Sequence, residues 1–269
     1  MSELWNDLVS CLALHAVAGD TAADGVYEGG NQRLEYHRLF GGQILGQLVR
    51  AAALTCPDKA LKSLHTTFPR EGRADEPVRY EAIRHHEGRS FATLSVVARQ
   101  SKGPIAVATV SMHAPEAGPV HQFTPTVPSV LSDEHRVQFD LIPWETRTTT
   151  DLDSLGTASP EFEMWMRTPE VDPDFGTALV AYATDLNLIG TALLSVEGLC
   201  QRGNGTAFTS AVTSHSLWFH RPLRSDDWLL LRQHSPLIAG GRTFGRGDVF
   251  TANGDLVASF AQEALLRLP

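Results

Sequence analysis

The feature that most constrains the fold of this chain is an internal repeat. The tetrapeptide Gly-Arg-Ser-Phe at residues 88–91 returns as Gly-Arg-Thr-Phe at residues 241–244, about 150 positions later. Each copy leads into a strand-like segment, a turn that contains Gly103 or Gly254, and a second strand-like segment that begins at Ile105 or Leu256. A period this long is too great for a solenoid, so it indicates a tandem duplication of one unit.

An apolar helix is predicted ahead of the strands in each half. The first runs from His37 to Thr55, where Gly42 and Gly46 leave a bare stripe against which another backbone can pack. The second runs from Ala183 to Leu194 with apolar residues at helical spacing. A helix this apolar beside several antiparallel strands is best buried by a sheet that curls around it. We therefore predict an α+β fold of two tandem repeats, each with an antiparallel sheet wrapped around a long central helix.

The predicted boundaries are an N-terminal repeat over residues 1–118, a linker over 119–160 and a C-terminal repeat over 161–269. The linker is rich in Pro, Thr and Asp and weakly periodic, and a linker this long is either functional or packed on the surface. A short helix is one candidate for Pro160 to Met166.

Composition and charge exclude several classes of function. The net charge is −9 and the pI is near 5.6, which disfavours nucleic acid and anionic membranes as partners. No apolar run approaches the roughly 20 residues of a spanning helix, and the N-terminus carries acids where a signal peptide carries positive charge. The three cysteines are far apart, which fits the cytoplasm and predicts neither disulfides nor a metal site.

Two nucleophile candidates are weak. Ser214 stands beside His215, but no Gly-x-Ser-x-Gly motif occurs in the chain. Cys200 lies in a Gly-rich loop with no assisting base nearby in sequence. The histidines show no metal-ligand spacing, and we expect His215 and His220 to make structural hydrogen bonds.

Asp185 opens the second predicted helix. Thr184 and Asp185 are both able to cap a first turn, where unpaired backbone N–H groups and the helix dipole favour a charged carboxylate. Asp185 is therefore either a helix cap or an ionised acid that can accept a proton from water.

Four motifs carry a family resemblance. They are, in order, HRLFGGQILGQ from His37, ATDLNLIGTALL from Ala183, SHSLWFHRP from Ser214 and LVASFAQEALLR from Leu256. Together with the duplication they resemble the acyl-CoA thioesterase II family, over roughly residues 25–118 and 160–268. The resemblance implies a double hotdog fold and hydrolysis of a fatty acyl-CoA thioester to free acid and CoA.

The resemblance also implies how the site works. Family members form no covalent intermediate and need no cofactor or metal; a carboxylate, an amide and a hydroxyl hold the water that attacks the thioester. Carried onto this sequence, the carboxylate is Asp185 and the amide is Gln262. The hydroxyl position, three residues before His215, is Val212. We therefore predict an active but slow thioesterase.

Nearby hydroxyls could replace the missing one. In a regular strand Ser210 and Ser214 share the face of Val212, whereas Thr213 joins that face only if the strand has a bulge. The first repeat has Leu39 and Phe40 where the second has its acid, and Ser111 near the position that matches Gln262, so one active site per chain is expected.

Other features of the family leave alternatives open. Phosphates of CoA need cations, and the candidates are Arg221, Arg224, Arg242 and Arg246, each of which could equally be a solvated surface charge. The family associates through sheet edges, so a homo-oligomer is expected. A non-catalytic acyl-CoA-binding protein is the alternative function, and an enoyl-CoA hydratase ranks last because no Asp-x-x-x-x-His spacing occurs at either central helix.

Overall fold

The structure is a computed structural model that describes residues 3–18, 23–34 and 38–268. The chain divides into two compact units. Unit 1 comprises Met1–Phe123 and Val171–Ala183, and unit 2 comprises Thr124–Glu170 and Thr184–Pro269. Most of the predicted linker therefore belongs to unit 2, because its apolar side chains, including Val127 and Leu131, pack against a buried cluster around Trp165.

Unit 1 is an antiparallel sheet with helices packed on it. The strand order is β1-β2-β4-β5-β6-β3, and α2 packs against β2, β3, β4, β5 and β6. Its elements are α1 (Glu3–Leu12), β1 (His15–Ala16), β2 (Gly25–Gly29), α2 (Gly41–Thr55), β3 (Ala60–Thr67), β4 (Val78–Glu87), β5 (Phe91–Gln100), β6 (Gly103–His113) and all but the last residue of α3 (Gly176–Thr184).

The glycine stripe of α2 allows another backbone to pack closely against the helix, as predicted. A Cβ on Gly46 would lie 3.1 Å from the backbone oxygen of Ala178, and one on Gly42 would collide with the backbone oxygen of Tyr182. Both carbonyls belong to α3, so the bare stripe admits another helix at close range. The helix begins at Gly41, and the predicted start at His37 lies outside the described residues.

Unit 2 has a second antiparallel sheet, of strand order β9-β12-β11-β10-β8-β7, with α4 packed on β8, β10, β11 and β12. Its elements are β7 (Glu145–Arg147), β8 (Glu161–Arg167), α4 (Leu188–Leu193), β9 (Thr209–Phe219), β10 (Leu229–Ala239), β11 (Arg242–Thr251) and β12 (Leu256–Arg267). Short 3₁₀ helices cover Asp133–His135 and Gln201–Gly203 in this unit and Pro173–Phe175 in unit 1.

The predicted helix at Pro160–Met166 is wrong, because this segment forms β8. Its backbone pairs with β10, and Phe162, Met164 and Met166 alternate into the core. Pairing with a strand about 70 residues away overrides the local preference.

The single long helix predicted over Ala183–Leu194 is also wrong. The α3 helix ends at Thr184, and α4 begins only at Leu188, after Asn187 in the left-handed conformation with φ of 70°. Asn is one of the few residues that adopts this conformation readily. Asp185 therefore lies in a connection between two helices, and the helix-dipole argument for its charge does not apply.

Among the described residues, no helix is long and apolar enough to cross a membrane.

Candidate active site

The site is organised by a cross-strand pair. Gln262 of β12 lies directly opposite His215 of β9 in the antiparallel register. The two side chains are hydrogen-bonded, with 2.9 Å between His215 Nδ1 and Gln262 Oε1. Their exposed fractions are 1% for His215 and 2% for Gln262, so the pair is isolated from solvent.

The other nitrogen of the same ring leads towards Asp185. His215 Nε2 lies 3.1 Å from the hydroxyl oxygen of Thr184, which is fully buried and immediately precedes Asp185. One imidazole thus connects Gln262 with the residue adjacent to the predicted acid. Sequence reasoning expected His215 to make structural hydrogen bonds; it makes them inside the predicted site.

The segment around Asp185 is also held from its other side. Gln233 of β10 donates a hydrogen bond of 3.0 Å from its side chain to the backbone oxygen of Leu186. The hydroxyl of Thr191 lies 3.3 Å from Gln233 Oε1 and 2.7 Å from the backbone oxygen of Asn187. Asp185 is 8% exposed, and both neighbours in the chain are anchored to the sheet.

Burial sets the charge of this network. Desolvation lowers the pKa of His215 from 6.5 to about 4, against the opposing effect of its hydrogen bond to Gln262. The imidazole is therefore neutral at physiological pH. Because the oxygen of an amide can only accept, Nδ1 carries the proton and Nε2 accepts from Thr184. The amide nitrogen of Gln262 has no hydrogen-bond partner among the described residues, so it is available to donate.

A β-bulge lies beside Val212, the position at which the family resemblance led us to expect a hydroxyl. Val212 pairs with Ala264 and Ser214 pairs with Glu263, which leaves Thr213 as the extra residue of β9. Val212 lies opposite Ala264, which is two positions from Gln262 on β12, so Val212 shares the face of His215 and Gln262, whereas Ser214 lies on the opposite face. The face assignment for a regular strand therefore does not hold here.

Two of the hydroxyl residues near Val212, Ser210 and Thr213, make contacts with the surrounding structure. Thr213 donates a hydrogen bond of 3.0 Å to the backbone oxygen of Glu263. Ser210 is 2% exposed, and its backbone N–H bonds to the side chain of Asn204.

The candidate arginines lie apart from this network. Arg221 pairs with Asp255, Arg224 with Asp226 at 2.5 Å and Arg242 with Glu263 at 3.4 Å.

Arg246 lines a groove of about 700 Å³ with Trp218 and Asp248 on one face of the unit 2 sheet. It opposes Ala261 in the register, so its side chain points away from the face of Gln262. Arg242 lies an even number of positions from Arg246 on the same strand and shares that face. The roles of these arginines in CoA binding stay predictions.

In the described part of the first repeat, serines occupy the positions that match His215 and Gln262. Ser111 occupies the position that matches Gln262, and its cross-strand partner is Ser63, which is 5% exposed. His65 pairs with Thr109 and is exposed, so it is not the counterpart of His215 in this strand pair.

Sequence reasoning missed the functional setting of two residues, His215 and Gln233. The last two family motifs contained a signal for His215. When they are aligned as neighbouring antiparallel strands, His215 lies opposite Gln262. No comparable signal marked Gln233. Among the described residues, no group of three or more His, Cys, Asp or Glu side chains could hold a metal ion.

Comparison with protein families matches both halves of the chain. Residues 33–113 match the acyl-CoA thioesterase N-terminal domain, and residues 114–266 match the acyl-CoA thioesterase C-terminal domain. The chain is 32% identical to acyl-CoA thioesterase 2 of Haemophilus influenzae, with 99% of each protein covered. It is 30% identical to acyl-coenzyme A thioesterase 8 of Homo sapiens, covering 97% of this chain and 91% of the human protein.

Solved structures of similar proteins support the same family assignment. The acyl-CoA thioesterase II TesB2 of Mycobacterium marinum is 31% identical and superposes with a TM-score of 0.77, over 97% of both chains. The tesB protein of Mycobacterium avium subs paratuberculosis is 28% identical with a TM-score of 0.79, over 97% of this chain and 99% of that one. With two matching family domains, full-length relatives at about 30% identity and the same fold, this chain belongs to the acyl-CoA thioesterase II family of double hotdog thioester hydrolases.

Proposed function

We propose that this thioesterase hydrolyses fatty acyl-CoA to a free fatty acid and CoA at a single site in unit 2, with Asp185 as general base and Gln262 as the amide that orients water and substrate. The observation that carries the proposal is the imidazole of His215, which bonds Gln262 at 2.9 Å and Thr184, the neighbour of Asp185, at 3.1 Å.

The reaction needs one water and no covalent intermediate. The water oxygen attacks the thioester carbon while Asp185 accepts a water proton, and the carbonyl oxygen becomes an oxyanion. The tetrahedral intermediate then expels the thiolate of CoA as the C–S bond breaks, and the proton held by Asp185 passes to that sulfur. General-base assistance of this kind contributes roughly 10²- to 10⁴-fold.

Gln262 supplies a donor where the reaction develops negative charge. Its Oε1 is occupied by His215, while its Nε2 has no partner among the described residues. A buried amide N–H₂ group left without a partner costs free energy, which a water or the thioester oxygen would recover on binding. A donor aligned in advance stabilises an oxyanion by roughly 3 kcal/mol.

The missing hydroxyl makes the enzyme slow in this proposal. The side chain of Val212 cannot form a hydrogen bond, and the hydroxyl of Thr213 already donates its proton to the backbone oxygen of Glu263. One charge-assisted hydrogen bond contributes about 1.5–3 kcal/mol, so its absence lowers turnover by roughly 10- to 100-fold.

The test is release of CoA thiol from decanoyl-CoA and palmitoyl-CoA, followed with a thiol reagent. We expect Asp185→Asn to lower kcat by roughly 10²- to 10⁴-fold with little change in acyl-CoA binding, and Gln262→Leu to lower it by roughly 10- to 100-fold. A folded wild-type protein that binds palmitoyl-CoA tightly but releases no thiol would make it a binding protein. Full activity in Asp185→Asn would remove that residue from the mechanism.

We also propose that the protein works in the cytoplasm as a homo-oligomer. The three cysteines, Cys11, Cys56 and Cys200, are free thiols, which suits a reducing compartment. Light scattering coupled to size exclusion measures the mass in solution, and a mass near 29.3 kDa at micromolar concentration would contradict the oligomer.

A further inference from the structure

His215 uses both nitrogens of its ring inside the proposed site. Nδ1 donates to Gln262 Oε1 at 2.9 Å, and Nε2 accepts from the Thr184 hydroxyl at 3.1 Å. The ring also stacks on Phe260, with 6.1 Å between centroids and 13° between planes. At 1% exposure, the imidazole has no freedom to turn without breaking these contacts.

This arrangement decides which end of the Gln262 amide faces the reaction. With Oε1 bound to the ring N–H, the two protons of Nε2 point away from His215, and no described residue accepts them. If the amide were turned over, Nε2 would face the ring and the site would receive an acceptor instead of a donor. An acceptor is repelled by the oxyanion that forms on the thioester.

The internal repeat provides an independent comparison. In unit 2 the cross-strand pair is His215 and Gln262, whereas in unit 1 the matching pair is Ser63 and Ser111. Unit 1 builds the same kind of strand pair without an imidazole, so the fold does not require a histidine at this position. The histidine accompanies the glutamine and the acid, which indicates a role in the reaction.

We propose that His215 is a positioning residue for thioester hydrolysis, which fixes the amide of Gln262 with its nitrogen towards the substrate and anchors Thr184 beside Asp185. The proposal rests on the proposed function of Gln262 and Asp185. His215 itself exchanges no proton with water or substrate; it acts through its two hydrogen-bond partners.

The first experiment compares three substitutions of His215 in thiol-release kinetics. His215→Leu removes both hydrogen bonds, and we expect kcat to fall by roughly 10- to 100-fold with KM changed less than about threefold. His215→Asn keeps a short donor that can reach Gln262, so it should recover most of the activity. His215→Gln is long enough to favour Thr184 and should recover less.

His220 offers a matched control. It directly follows β9, and its Nε2 bonds to Ser259 Oγ at 3.0 Å, away from the network. We expect His220→Leu to leave kcat unchanged within about twofold, since it touches neither Gln262 nor Thr184.

A double-mutant cycle separates a positioning role from a general structural one. If His215 works through Gln262, adding His215→Leu to Gln262→Leu should cost no further activity beyond about threefold. Fully multiplicative losses, or a His215→Leu variant with wild-type kcat, would overturn the proposal. If His215→Leu does not fold, the ranking of the Asn and Gln variants decides, and equal activity in these two overturns it.

The same measurements keep the two hypotheses apart. Wild-type kcat in Gln262→Leu and Asp185→Asn contradicts the proposed function. Large losses in those two variants, together with an unaffected His215→Leu enzyme, contradict only the positioning role.

Discussion

Thr213 donates its hydroxyl proton to the backbone oxygen of Glu263 at 3.0 Å, at the bulge where β9 gains one residue over β12. The bulge moves the alternation of side chains along β9 by one position, so Val212, opposite Ala264, shares the face of His215 and Gln262. The Thr213 hydroxyl retains lone pairs that can accept from water, but its proton is committed. A family hydroxyl at position 212 would have both functions open.

The first prediction restores that hydroxyl. We expect Val212→Thr to raise kcat by roughly 10- to 100-fold, because one additional hydrogen bond to the attacking water contributes about 1.5–3 kcal/mol. Val212→Ala is the control, since it changes the volume without adding a donor, and its kcat should not rise. If Val212→Thr has the wild-type rate, another group already fills this role, and Thr213→Val should then lower kcat.

The second prediction concerns the connection that carries Asp185. Gln233→Leu removes the hydrogen bond to the backbone oxygen of Leu186, and we expect kcat to fall roughly tenfold because Asp185 is less well placed. Stability should fall by about 1–3 kcal/mol, since a buried carbonyl loses its partner. Both are measurable, by thiol release and by urea unfolding.

Gln100 provides the comparison for this variant. Its amide nitrogen donates to the backbone oxygens of Arg73 and Glu76 at 2.8 and 2.6 Å, in unit 1. Gln100→Leu should therefore lower stability without lowering kcat. Equal losses of kcat in both glutamine variants would mean that general destabilisation, and not the placement of Asp185, explains the effect.

The third prediction is a pH dependence of stability. The pKa of His215 is about 4 in the folded protein because of burial, against an ordinary value of 6.5. Between these values the unfolded chain binds more protons at this residue, so its contribution to the free energy of unfolding is complete above pH 6.5 and is lost as the pH falls towards 4. The loss amounts to about 3 kcal/mol.

Urea unfolding of the wild type and His215→Asn at pH 7.0, 5.5 and 4.5 isolates this contribution. The carboxylates titrate in both proteins, so the difference in free energy of unfolding between them reports His215. We expect the free energy of unfolding of the wild type to fall relative to that of His215→Asn as the pH falls. A difference that is constant with pH contradicts a buried, neutral imidazole.

The fourth prediction tests the close helix contact in unit 1. A Cβ on Gly42 would collide with the backbone oxygen of Tyr182, which cannot move as a side-chain end can. Gly42→Ala gains about 1 kcal/mol of helix propensity but loses about 1–3 kcal/mol to overpacking, so we expect no gain or a net loss in urea unfolding. Gly30→Ala is the control, because no atom lies within 4 Å of its added Cβ. A clearly stabilised Gly42→Ala would show that the two helices can separate.

The sequence alone predicted the repeat, the strands that follow each copy of its tetrapeptide and the glycine stripe of α2. Each of these features depends on residues close together in the chain. In β4, for example, Val78, Tyr80 and Ala82 alternate with more exposed residues and are buried in the core. The family motifs likewise identified Asp185 and Gln262 as candidates. A motif consists of residues close together in the chain, so it can be recognised without the tertiary structure.

The tertiary structure decided how those candidates are held. Gln233 donates a hydrogen bond to the backbone oxygen of Leu186 beside the helix break at Asn187, and Gln262 pairs with His215 on a strand 47 positions earlier. The bulge at Thr213 exists only in the register of β9 against β12. Such contacts join residues far apart in the chain, so no local pattern specifies them. Their physical cause is the burial of polar groups, each of which must find a hydrogen-bond partner wherever the fold provides one.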